Sequence, residues 1–107
     1  TASNYSVETV NGQSKTSVNM SSSNMTLEAA QSSGSSSISV QSSEVKGAVG
    51  SSTSMVLSNS SGTLEYKSTS SKVVVSSSSA KLSFGSSNVS VDVSGVSING
   101  SNLKVLM

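Results

Sequence analysis

From Met55 to Met107, a pair of apolar residues two positions apart recurs at a near-fixed interval. The pairs are Met55/Leu57, Leu64/Tyr66, Val73/Val75, Leu82/Phe84, Val89/Val91, Val96/Ile98 and Leu103/Val105, and their first members lie nine, nine, nine, seven, seven and seven residues apart. Successive side chains of a β-strand point to opposite faces, so residues i and i+2 share one. Each pair therefore predicts one short strand with two inward side chains. Between the pairs stand Ser, Asn and Gly, which accept tight or left-handed backbone at low cost. Strand and corner repeated at short period is the pattern of a β-solenoid or β-helix.

Serine supplies about a third of the 107 residues, which alone would suggest disorder. Disordered chains, however, combine Pro and high net charge with few β-branched residues. Here there is no Pro, the net charge is +1, and Val, Ile, Leu and Met recur on a period. Ordered β structure in a single domain follows. Absence of Pro also suits strands whose N–H groups all enter a ladder. The chain opens without Met inside a Ser/Asn-rich stretch, as a piece of a longer protein would.

Residues 1–50 carry the pattern less regularly, through Tyr5/Val7, Val18/Met20, Met25/Leu27, Ile38/Val40 and Val45/Gly47. Asn11-Gly12 signals a hairpin, so this segment reads as an antiparallel meander leading into a regular β-helix over 51–107. Its tip is expected at about 88–107. Thr26 to Gln31 holds the only cluster of helix formers and is too short to stand alone.

Strands this short cannot stabilise themselves. Burying one Val or Leu yields about 1.5–3 kcal/mol, while ordering each residue's backbone costs about 1–2 kcal/mol. A monomeric solenoid would complete only two or three turns with open ends. Three chains around a shared axis supply the missing core, so the paired residues become the trimer's inner seam. The shorter period toward the C-terminus predicts a taper. Eleven or twelve strands at about 4.8 Å predict a rod of roughly 50–60 Å.

Val-x-Val repeats with Ser/Asn/Gly corners, free of Cys and Pro, resemble the C-terminal β-helix of central spike proteins of contractile tails. These are the cell-puncturing proteins of myoviruses and R-type pyocins and, more distantly, of type VI secretion. Lys72 to Ser76 and Ser87 to Gly100 carry the likeness best. It implies an all-β, homotrimeric, interwoven triple-stranded β-helix, a three-sided prism tapering to the C-terminus. It further implies a structural needle at the baseplate tip of a virion, driven through the host outer membrane by tail contraction. A hub or tube would be joined through an N-terminal module not seen in this chain, with a tip-capping protein as a further partner. The family's iron site near the tip needs His-x-His, and this sequence has no His.

Chemistry finds little purchase. Without His there is no Ser–His–Asp arrangement. Ser-x-x-Lys occurs at Ser43/Lys46, Ser78/Lys81 and Ser101/Lys104, but that motif needs a helix to join its side chains. No enzyme and no cofactor are expected. Copies of an asparagine around a three-fold axis offer an oxygen site for an axial ion, with Asn99 and Asn102 as candidates. The single Asp excludes a calcium β-roll. Six Asn-x-Ser/Thr sequons follow largely from serine abundance. Near-neutral charge and three scattered aromatic residues argue against nucleic acid. The alternatives are a trimeric fibre or adhesin stalk, which calls for a receptor pocket, and an ice-binding solenoid, which calls for ranked Thr. The seven Thr do not repeat in register.

Overall fold

The computed structural model describes residues 3–100. Eleven strands form one antiparallel sheet in chain order, each paired with the next. They are β1 (Asn4–Asn11), β2 (Ser14–Ser21), β3 (Asn24–Gln31), β4 (Gly34–Gln41), β5 (Glu44–Val49), β6 (Thr53–Ser58), β7 (Ser61–Tyr66), β8 (Ser71–Ser76), β9 (Ser79–Phe84), β10 (Ser87–Asp92) and β11 (Gly95–Asn99). The sheet is not closed, since β1 pairs only with β2 and β11 only with β10. It measures 59 × 32 × 21 Å.

The all-β expectation holds, but within 51–107 the chain reverses between the described strands where corners were expected. Ladder partners are a chain's own neighbours, joined mostly by two-residue loops, and the meander continues through the β5–β6 hairpin without a break. The pairwise spacing fits both arrangements, because a strand and its connection take seven to nine residues whether the chain turns around or back. Thr26 to Gln31 lies in β3, where tertiary pairing overrides a weak helical preference. Strands shorten from eight residues in β1–β4 to six in β5–β10 and five in β11. The sheet is thus a trapezoid.

Its two rims differ in chemistry, because successive loops alternate between them. On one rim Gly12 and Gly85 open two-residue loops with φ of +60° and +56°. A glycine first and a negative φ second is the type II′ turn, whose twist suits a hairpin. On the other rim a side chain braces the turn. Ser21, Ser58 and Ser76 each accept from two backbone N–H groups two and three residues on, at 3.1–3.3 Å. Each also donates to the carbonyl three residues on. Asp92 takes the same place at the β10–β11 loop, accepting from the Ser94 N–H at 2.7 Å.

Candidate functional site: an uncovered apolar face

Directly paired residues of neighbouring strands share a face. The register therefore traces one row across all eleven strands: Val7, Val18, Leu27, Ile38, Gly47, Met55, Leu64, Val73, Leu82, Val89 and Ile98. A second row on the same face runs Tyr5, Met20, Met25, Val40, Val45, Leu57, Gly62, Val75, Ala80, Val91 and Val96. A third, toward the glycine rim, runs Thr9, Thr16, Ala29, Ser36, Val49, Thr53, Tyr66, Ser71, Phe84 and Ser87. Two unbroken apolar rows define one side of the molecule.

Twelve of the fourteen sequence-predicted inward residues fall on this face. Met55, Leu64, Val73, Leu82, Val89 and Ile98 stand in the first row, Leu57, Val75, Val91 and Val96 in the second, and Tyr66 and Phe84 in the third. Leu103 and Val105 lie outside the described residues, as does Asn102, while Asn99 lies on the opposite face beside Asn88. Sequence pairing missed the places that Gly62 and Ala80 take in the second row, because neither is a large hydrophobe. Strand register alone reveals them. A Cβ built on Gly62 would stand 3.2 Å from Leu57 Cδ2, so Leu57 covers the gap that glycine leaves.

No apolar side chain is buried among the described residues. Leu64 is 54% exposed, Leu82 58% and Val75 54%. The opposite face is better covered: Ser17 is the one buried residue described, and Val56 and Val74 are half-buried on either side of Thr63. That face is polar. Ser6 donates to Asn19 at 2.6 Å, Asn19 to Ser17 at 3.3 Å, and Ser39 to Asn24 at 2.9 Å. Lys15 meets Glu8 at 2.7 Å and Lys46 meets Glu44 at 2.6 Å. Such solvent-exposed pairs contribute little to stability. Hydrogen bonding and attraction to Glu8 raise the Lys15 ammonium above its ordinary pKa, and Ser94, through its hydroxyl and N–H, holds the Asp92 carboxyl below the usual carboxylate range.

Between the first and third rows a trough of about 650 Å³ crosses β1–β7. The backbone of Ser17, Glu28, Ser37, Ala48 and Ser54, whose side chains face the other way, floors it. Val7, Val18, Leu27, Ile38, Met55 and Leu64 form one wall, and Thr9, Thr16, Ala29, Ser36, Val49 and Thr53 the other.

The Ser-x-x-Lys matches place Ser43 and Ser78 in loops and Lys46 and Lys81 in strands, and Lys46 is engaged by Glu44. Among the described residues, no group of three His, Cys, Asp or Glu is placed to hold a metal, and no helix is long and apolar enough to cross a membrane. What the arrangement offers is a surface. No protein-family model, characterised protein or solved structure matches the chain.

Proposed function

We propose that this chain is a structural element of a homotrimeric needle, the membrane-piercing tip of a contractile phage tail, and that it is not an enzyme. The observation that carries this proposal is the pair of apolar rows running across eleven strands with no described residue covering them. A face 59 by 32 Å offers roughly twice the ~800 Å² that each partner gives to a standard stable interface. Three copies closing their apolar faces around one axis form a three-sided prism with the Ser/Thr/Asn face outside. In a three-fold ring, one rim of each sheet meets the other rim of the next, a heterologous contact. The glycine and serine rims supply two such unlike edges.

The trapezoid gives the prism its taper, from eight-residue strands to five. With consecutive strands of one chain paired as here, each chain supplies one face. Interwinding, the finer arrangement suggested by the spike resemblance, exchanges those intrachain ladders for interchain ones. A smooth, hydroxyl-coated exterior whose backbone groups are satisfied within the sheets meets little resistance in a bilayer. The needle acts in the virion's baseplate on the host outer membrane, joined to the tail hub through a further module. It needs no cofactor and binds no nucleic acid.

Gold-labelled antibody against the chain should mark the distal end of contractile tails in electron micrographs. Labelling along fibres or on a receptor-bearing cell surface would instead establish the stalk alternative.

A further inference from the structure

Bulk is shared out strand by strand on the apolar face. Tyr66 in the third row shares β7 with Gly62 in the second, and Phe84 shares β9 with Ala80. On the strands beside them the order is reversed. Leu57 shares β6 with Thr53, Val75 shares β8 with Ser71, and Val91 shares β10 with Ser87. The broad end follows the same rule, with Tyr5, Met20 and Met25 set against Thr9, Thr16 and Ala29. On β5 both outer positions are Val, and the small residue, Gly47, stands between them in the first row. From β6 to β10 each outer row is therefore a comb of alternating large and small side chains, and the two combs are out of phase by one strand. Packing within one sheet accounts for the alternation along a row, since Phe84 has Ser71 and Ser87 as ladder partners and Ala80 has Val75 and Val91. It does not account for the opposite phase. The two rows stand four residues apart on each strand, about 13 Å, too far for their side chains to touch.

We infer that the second row of one copy is the docking surface for the third row of another, strand level with strand, with Phe84 seated at the partner's Ala80 and Tyr66 at the partner's Gly62. This rests on the assembly proposed above, in which the glycine rim of each copy meets the serine rim of the next. Rotation about the long axis keeps equal strands at equal height and brings these two rows together at every contact. A large side chain then meets a small one at each level from β6 to β10, which is how facing layers interdigitate at the density of a protein interior. The notch at Ala80 is bounded by Val75 and Val91, and the one at Gly62 by Val75 and by Leu57, whose Cδ2 leans over it. Slipping one copy by a single strand sets Phe84 against Val75 or Val91 and leaves Ser71 facing Gly62 or Ala80. Overpacking and cavities both destabilise. The mated rows thus fix the height of each copy, which a continuous apolar face alone leaves free to slide.

A reversal of sign between single and double variants tests this register. Ala80→Leu fills the notch and should lower the oligomer's thermal midpoint by roughly 5 °C or more. In a Phe84→Ala background the same change should raise the midpoint, because the added carbons occupy the space the ring has left. In a Tyr66→Ala background, two strands away, Ala80→Leu should still lower it. Residues 80 and 84 of one chain do not touch, so the reversal arises only between copies. Without that reversal, in an oligomer of unchanged mass, the register is overturned and the assembly stands. Should Ala80→Leu fail to fold, cysteines decide the matter in a chain that has none of its own. Oxidised Ala80→Cys/Phe84→Cys should close into covalent rings, its two positions being too far apart for a bridge within one chain, and Ala80→Cys/Tyr66→Cys should not. Equal linking of both pairs, or of neither, would overturn the register. An unaltered chain that runs as a monomer would overturn the assembly itself, a result distinct from either.

Discussion

Single residues fix the reversals. Gly85 sits at φ +56° at the head of a two-residue loop, a conformation that costs an L-residue roughly 1–2 kcal/mol. Gly85→Ala should therefore lower stability by about that much in urea denaturation, with the slope unchanged. On the opposite rim the Ser76 hydroxyl satisfies two backbone N–H groups and one carbonyl. Ser76→Ala should cost about 0.5–1 kcal/mol, and Ser77→Ala, at a position with no such bonds described, close to nothing. Asp92 does the accepting half of that work with a charge. Its folded pKa lies below the unfolded value of about 3.9, so its contribution is present above that value and is lost as pH falls toward the lower folded one. The Ser94 amide resonance should track this titration, and Asp92→Asn should flatten it while keeping an acceptor in place.

At the scale of strands, the rows make face assignment testable. Leu64→Lys and Thr63→Lys alter adjacent residues of β7 whose side chains point to opposite faces. Leu64→Lys places an unpaired charge in the proposed interface and should cost at least about 3 kcal/mol, or abolish assembly. Thr63→Lys, on the hydroxylated face, should assemble normally by light scattering. Much of this element pattern was legible in the sequence. Period-two hydrophobes located the strands from Tyr5/Val7 to Val96/Ile98, and the inward side followed from the alternation. The sense of the connections beyond residue 50 was not legible. A two-residue Ser/Asn/Gly spacer serves a corner and a hairpin equally well, and only Gly12 and Gly85, at the head of type II′ loops, speak for reversal. The third row was likewise hidden, because Thr9, Thr16 and Ser36 are not apolar and pairing of large hydrophobes passes over them. Leu64/Tyr66 and Leu82/Phe84 straddle rows one and three, whereas the other described pairs straddle one and two, so equal spacing concealed a lateral shift.

For the whole molecule, the governing fact is a sheet without a core among the described residues. A lone layer leaving Leu64, Leu82 and Phe84 half or more exposed carries far more contiguous apolar surface than the few hundred Å² that monomers commonly tolerate. Burial at roughly 25 cal/mol per Å² makes covering that face the largest stabilising step open to the chain. Folding and association should accordingly be coupled, with the denaturation midpoint rising with protein concentration. The most direct test is the solution mass from scattering-detected chromatography under native conditions. The account predicts a single species of three times the 10.7 kDa chain, with the circular dichroism of β-sheet. A folded, β-rich species at 10.7 kDa would contradict it.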